Sequence, residues 1–393
     1  MKRILTLALS LLLILGALTG CANNTELHRY SEDALKADPG QFALDAYSPD
    51  TVVMKIDGSE VHWNEYVFWL CSTAKDFAAE ADVPVIPDWN AVYDASSGET
   101  YAEALCRVVL EKEKQFHVLE AKAAEYGAEL GEEGNAYVES SLQESMESFS
   151  ITSEEERDEV LRRAYLDEDV LRYQAKVAYL YLGLYQTMFG ADGEKISEEE
   201  INDYVAENGY MTVKHILLST VNENNEPLPE DDVQRKLERA QRMIERLNEI
   251  EDPQERLAQF DRYMSDYNED PGVLNYPNGY CFKPGEMEES FEQAAAALAP
   301  YQVTAQPVQT VYGYHVILRL PTTGEDVIDI TDEGLPYHLR EDAAQTTYLQ
   351  LMQAWIDDAE IEWQPGFEHL DIQKLFTKEE TGLEKLDVFH WFH

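Results

Sequence analysis

Cations and thiols are what this chain has least of. Thirty lysines and arginines face 77 aspartates and glutamates, a formal charge of −47, and the 393 residues hold only four cysteines. The charge excludes nucleic acid and anionic headgroups as partners, because a polyanion repels polyanions. The thiols exclude a disulfide framework. With Cys21 set apart for reasons given below, Cys71, Cys106 and Cys281 are an odd set in which at least one is unpaired. Cys71 and Cys106 lie in apolar helical patterns and read as small buried hydrophobes. No pair of cysteines or histidines has metal-ligand spacing, and the terminal run 390–393, His-Trp-Phe-His, reads as a tail. Internal repeats are absent, and the only biased stretch is the alanine run 294–297. With 44% hydrophobic residues the chain is nevertheless globular, and its length suits two to three domains.

The chain opens with Met1-Lys2-Arg3, then residues 4–18 without a charge, then Thr19-Gly20-Cys21. A basic end, a short apolar core and small residues before a cysteine make a secretory signal, and the apolar run is too short to span a bilayer comfortably. Leu18-Thr19-Gly20-Cys21 resembles a lipobox. The resemblance implies cleavage before Cys21, acylation of its thiol, and a mature chain held by lipid on the extracytoplasmic face of a bacterial cell membrane. Residues 1–20 are then signal peptide. Residues 21–50, with little periodicity, read as a flexible tether.

Val52-Val53-Met54-Lys55-Ile56, the turn Asp57-Gly58 and Glu60-Val61-His62 predict a β-hairpin. Helices are expected over about 63–81, 98–127 and 132–149. A capping box at Ser153 to Glu156 starts one long helix to about 189, and another at Ser197 to Glu200 starts a short one. The apolar spacing of Leu237, Ala240, Met243, Ile244 and Leu247 marks an amphipathic helix over 231–249, entered through the Asn222 to Asn225 cluster and Pro229. A last helix is expected over about 337–359.

Residues 211–320 carry the chemistry. Val213-Lys214-His215-Ile216-Leu217-Leu218 and Tyr312-Gly313-Tyr314-His315-Val316-Ile317-Leu318 read as strands, each with a central histidine. Between them stands Gly285-Glu286-Met287-Glu288-Glu289-Ser290-Phe291. Together these resemble the parvulin family of peptidyl-prolyl cis-trans isomerases. The all-helical block before them, behind a lipobox, resembles the N-terminal segment of PrsA- and SurA-type foldases. The fold class implied is α+β. A helical chaperone domain over 51–207 is completed by 325–393, whose helix returns to it. A parvulin-like domain, a small antiparallel sheet wrapped by helices, is inserted at 210–322.

The resemblance implies rotation about X-Pro bonds of unfolded or partly folded secreted proteins, with the lipid anchor as the link to the membrane. No bond breaks in that reaction, so no metal, nucleotide or other cofactor is expected. Met287, Phe291 and Phe282 match the proline pocket, the first two one helical turn apart. His215 and His315 match the paired histidines of neighbouring strands, a network that shapes the polarity of the site, and Thr310 matches the hydroxyl that supports it. Tyr263-Met264-Ser265-Asp266 matches the segment that places a cysteine or aspartate at the prolyl bond. Asp266 is then the polar group there, or a solvated carboxylate like its neighbours Glu269 and Asp270.

One segment departs from the family pattern. Where parvulins carry Gly-Gly-Asp-Leu-Gly-x-Phe, this chain has a longer loop from Asp270 to Phe282, with Gly279 in place of the leucine and Tyr280 as a substitute wall. A holdase whose inactive parvulin unit only docks clients is therefore the second reading. A solute-binding lipoprotein is a third, disfavoured by the helical block.

Overall fold

Asp57 and Gly58 have φ of 49° and 83° and reverse the chain between β1 (Val52–Ile56) and β2 (Ser59–His62). Two successive left-handed residues are what the right-handed twist of a tight hairpin requires. The computed structural model describes residues 38–148, 151 and 153–377. The signal segment, Cys21 and the tail 390–393 lie outside the described residues. The chain divides into two compact units, one from the described parts of 1–188 and 348–393, the other from 189–347, and its class is α+β.

In the first unit α2 (Trp63–Glu80) follows β2 directly and buries Trp63, Tyr66, Phe68, Trp69 and Leu70. It packs on α3 (Tyr101–Tyr126), which the hairpin of β3 (Val92–Asp94) and β4 (Glu99–Thr100) introduces. Thr100 and Glu103 form a reciprocal capping box at the start of α3, and Gly127 at φ 78° ends it, so both helix ends satisfy their free backbone groups. After α4 (Gly131–Ser148), the long helix expected from 153 to 189 is two helices, α5 (Glu154–Arg163) and α6 (Glu168–Phe189). The break is at Tyr165, whose φ is 61° and whose hydroxyl donates to Asp38. Asp167 then caps the new helix by accepting from the Val170 N–H at 2.8 Å.

The end of the expected tether is docked. Residues 39–44 form the short helix α1 (Pro39–Leu44), with Gly40 and Ala43 buried and Asp38 capping it. The Cys71 thiol and the Trp63 indole donate to its carbonyls. The C-terminal half of α11 (Leu339–Asp358) also belongs to this unit, where the Tyr348 hydroxyl donates to the Tyr181 carbonyl at 2.9 Å. β11 (Ile361–Trp363) then adds to the free edge of β1, pairing Met54 with Trp363 and Ile56 with Ile361. The short α12 (Ile372–Leu375) brings Phe376 against Trp89.

The second unit starts earlier in the chain than position 210, since it includes α7 (Glu198–Asn208). Tyr204 of α7 and Tyr210 both donate to Asp342, at 2.7 and 3.1 Å. Its sheet, in the order β6-β5-β8-β7, is antiparallel throughout: β5 (Met211–Ser219), β6 (Tyr280–Phe282), β7 (Val308–Gln309) and β8 (Gly313–Leu320). The two-residue period splits the strands cleanly. Ile216, Leu218, Val316 and Leu318 face a core built with α8 (Glu230–Glu249) and α9 (Pro253–Tyr267). Met211, Val213 and Ile317 face the other way, toward Phe282, Phe291 and α10 (Glu289–Ala296). A 3-10 turn (Pro271–Leu274) leads from α9 to β6, and β9 (Val327–Ile330) pairs with β10 (Pro336–His338) as a separate ribbon.

Candidate active site

In the β5–β8 register His215 lies opposite Ile317 and His315 opposite Leu217. The two histidines are therefore diagonal neighbours on one face of the sheet, close enough for long side chains to meet. Their rings stack at 16° with the two Nδ1 atoms 3.0 Å apart. His315 Nε2 is 2.8 Å from the Thr310 hydroxyl, and His215 Nε2 is 3.0 Å from Asp270 Oδ2. The same carboxylate oxygen accepts from the Tyr280 hydroxyl, and Oδ1 accepts from the Gly272 N–H at 3.1 Å.

The protonation of the ends orients this chain. Burial alone would raise the Asp270 pKa, but the hydrogen bonds from His215, Tyr280 and the Gly272 N–H outweigh it and hold the carboxyl down at about 2. Asp270 is thus an acceptor only. Burial, reinforced by the neighbouring His215, lowers His315 to about 3, so that ring is neutral near pH 7. With one proton on each imidazole a single direction satisfies every contact. Thr310 O–H donates to His315 Nε2, His315 Nδ1–H to His215 Nδ1, and His215 Nε2–H to Asp270, while the Tyr312 N–H donates to the Thr310 oxygen.

This network floors an open cavity of about 1220 Å³, with Met287, Phe291, Tyr280, Leu217 and Tyr312 on its walls. Phe291 meets both imidazoles edge to face, with centroids 5.3 Å from His215 and 5.2 Å from His315. Met287 is not on the helix with Phe291, because α10 begins only at Glu289. The Glu292 carboxylate holds it in place instead, accepting from the N–H groups of Gly285 and Met287 at 2.9 and 2.8 Å. The loop before the helix is thereby folded back over the cavity.

Residues 215–320 match the family model described as "Rotamase: PPIC-type PPIASE domain". The segment is a PPIC-type domain. No curated protein matches the chain. Among solved structures, the peptidylprolyl isomerase PrsA of Bacillus anthracis is 18% identical, over 66% of this chain and 91% of its own, with a TM-score of 0.21. PrsA of Bacillus subtilis is 19% identical, over 85% and 94%, with a TM-score of 0.22. A structure from Campylobacter jejuni, reported with PEB4 and Cj1289 as SurA-like chaperones, is 17% identical over 78% and 94%, at 0.24. TM-scores this low carry no argument about arrangement; the family match of 215–320 stands by itself.

Two of the residues singled out in the PPIC-type domain sit elsewhere than expected. Asp266 is exposed in the last turn of α9 and is not among the residues lining the cavity. The helix ends at Tyr267, and the chain reaches the cavity only at Asp270, which caps the 3-10 turn and faces His215. Phe282 is 1% exposed and packs behind Phe291 at 6.0 Å, as core rather than wall. His215, His315, Thr310, Met287 and Phe291 all line the cavity. Gly279 cannot carry the leucine of the family pattern. Its φ is 118°, and a Cβ there would lie 2.6 Å from the Val213 carbonyl oxygen. Tyr280 supplies that side of the wall. The signal for Asp270 was present in Asp270-Pro271-Gly272, an aspartate before Pro-Gly that caps a turn. The role of Glu292 had no signal in the sequence, since it depends on how the loop folds back.

Proposed function

We propose that the PPIC-type domain catalyses cis-trans isomerisation of X-Pro bonds in partly folded chains. The observation that carries this is the juxtaposition of an apolar recess, Met287 and Phe291, with a fully hydrogen-bonded polar floor beneath it. The uncatalysed barrier is about 18–20 kcal/mol and arises from amide resonance. An acceleration of about 10⁴ needs about 5.5 kcal/mol of preference for the twisted amide. Met287 and Phe291 hold the proline ring, which leaves the acyl side free to rotate. The twisted state has lost its resonance, so its carbonyl carries less negative charge than the planar amide. An apolar recess whose lining lysine, Lys236, is already paired with Glu269 offers that oxygen no free cation and so favours the twisted form over the planar one. A neutral His315 suits this better than an imidazolium would. No oxygen of Asp270 lacks a donor, which makes it a positioning residue for the imidazoles.

In the cell the reading is of a foldase acting on secreted chains at the extracytoplasmic face, attached by acyl groups on Cys21 after removal of residues 1–20. The acidity of the chain is compatible with basic or neutral clients and with repulsion from the anionic bilayer surface. A holdase with a docking-only domain remains the second reading, favoured by the complete engagement of Asp270.

Proline-limited refolding of a model protein decides between them. The full chain should accelerate the slow phase, and Met287→Ala should remove that acceleration while leaving suppression of aggregation intact. If the wild-type chain leaves the slow phase unchanged yet suppresses aggregation, the isomerase reading fails and the holdase stands. Labelling with radioactive palmitate, present in wild type and absent in Cys21→Ser, tests the anchor.

A further inference from the structure

A second cluster of ionisable groups lies in the other unit, away from anything the isomerase reading uses. Glu65 on α2 and Glu113 and His117 on α3 bring one ligand atom each within 4.8 Å of one another. Glu113 and His117 are one helical turn apart on one face of α3, and Glu65 meets them from α2. His117 Nε2 is 3.3 Å from Glu65 Oε2 and 4.0 Å from Glu113 Oε2. For ligands about 2.0–2.2 Å from a metal, tetrahedral geometry separates the ligand atoms by about 3.3–3.5 Å; the His117–Glu65 pair has this separation, and Glu113 stands somewhat farther off, at 4.0 Å from His117. His117 Nδ1 is 3.0 Å from the Ser59 hydroxyl, an arrangement that fixes the ring and can leave Nε2 as the ligand.

The independent observation is the state of Glu113. It is wholly buried, and neither of its carboxylate oxygens has a hydrogen-bond donor; Glu65 Oε1 has none either. Among the described residues the only ion-pair partner of either carboxylate is His117. Two carboxylates this close in the interior do not both stay charged unless a cation joins them, because among the described residues no lysine or arginine pairs with either to offset the repulsion. The alternative occupant is a proton shared between Glu113 and Glu65. Burial and the neighbouring Glu65 do raise the Glu113 pKa well above the usual carboxylate range. A shared proton leaves His117 Nε2 and the second Glu113 oxygen without a common partner, whereas one divalent ion engages all three residues.

We infer that Glu65, Glu113 and His117 form a binding site for one divalent transition-metal ion, with Zn²⁺ the best match to one imidazole and two carboxylates. Nothing in the reaction proposed for the PPIC-type domain uses it. Its place, tying β2, α2 and α3 together through Ser59, Glu65 and the Glu113–His117 turn, makes it a structural ion of the first unit.

The test uses the full chain in detergent, stripped with chelator, loaded with ZnCl₂ and passed through a desalting column. One equivalent of zinc should remain bound, and the melt followed by tryptophan fluorescence should shift upward. Glu113→Gln and His117→Gln should lose both effects while keeping the far-ultraviolet circular dichroism of the parent. Ser59→Ala should weaken zinc binding about 10-fold to 100-fold. The proposal is overturned if no ion is retained, or if Glu113→Gln retains it equally, which would assign the metal to the terminal histidines. Should the variants not fold, X-ray absorption of the zinc-loaded parent decides. One imidazole with oxygen ligands supports the site; sulfur or several imidazoles overturns it.

Discussion

His315 and His117 are equally buried, each 4% exposed, and each has a hydroxyl on one ring nitrogen; the other faces the carboxylate of Glu65 in His117 and, in His315, the His215 imidazole that leads on to Asp270. Their surroundings differ in closure. Around His315 every donor has an acceptor and the terminal carboxylate, Asp270, receives hydrogen bonds from His215, Tyr280 and Gly272. Around His117 the carboxylate of Glu113 receives none. A closed network needs nothing further and serves as a rigid floor, and the isomerisation proposed for that unit is placed above it. An open one, equally buried, is unfavourable until something positive completes it. The same residue types are therefore assigned two different proposed roles, and the count of missing donors tells them apart.

The largest way to break the comparison is to remove the ring that seals the closed network. Phe291→Ala deletes a side chain 5% exposed that touches both imidazoles, and should cost the second unit about 3–5 kcal/mol. Hydrogen exchange of the β5 and β8 amides is the measurement, because local opening is read there residue by residue. Tryptophan fluorescence serves as the control. All six tryptophans (positions 63, 69, 89, 355, 363 and 391) lie outside 189–347, so their signal should melt as in the parent.

Opening the network from its charged end comes next. Asp270→Asn keeps the size of the side chain but replaces a carboxylate that accepts from three groups, and should cost about 1.5–3 kcal/mol. Its signature is in the pH dependence. In the folded chain His315 is held at about 3, against about 6.5 when unfolded. The unfolded chain therefore binds a proton that the native one refuses, and stability falls as pH drops from about 6.5 toward 3. Asp270, at about 2 in the fold and near 3.9 outside it, adds a further loss as pH falls from about 3.9 toward 2. In Asp270→Asn the lower window should vanish and the upper one remain. Exchange protection of β5 that fell identically in parent and variant below pH 4 would contradict the assignment of the carboxylate.

How much of this could be read from the sequence depended on whether the signal was local. The hairpin at Asp57-Gly58, the two strands with central histidines and the amphipathic α8 follow from turn chemistry and periodicity. Met287, Phe291 and Thr310 followed from a resemblance carried by contiguous residues. What stayed hidden was set by contacts far apart in the chain. Asp38 holding Tyr165 breaks a helix that looked continuous, and Met54 and Ile56 gain a third strand from residues 361–363. Cysteine and histidine spacing carries no sign of the Glu113–His117 cluster, because its third member, Glu65, comes from another helix. Docking of residues 39–44 was equally invisible, since a six-residue helix has no period to detect.

The smallest expected effect gives the sharpest control on the closed network. Asp266 and Asp270 are one helical turn apart in sequence and carry the same charge, so a general electrostatic account of the site treats them alike. The structure does not: Asp266 is exposed on α9, whereas Asp270 is half-buried beneath the imidazoles. An exposed carboxylate is screened by water, and replacing it should change stability by no more than about 0.5 kcal/mol. Asp266→Asn should therefore match the parent in exchange protection of β5, in its pH profile and in acceleration of proline-limited refolding. If Asp266→Asn instead lowered isomerase activity as far as Asp270→Asn did, the field of the acidic loop would be what matters. The directed chain from Thr310 to Asp270 would then lose its place as the element that organises the site.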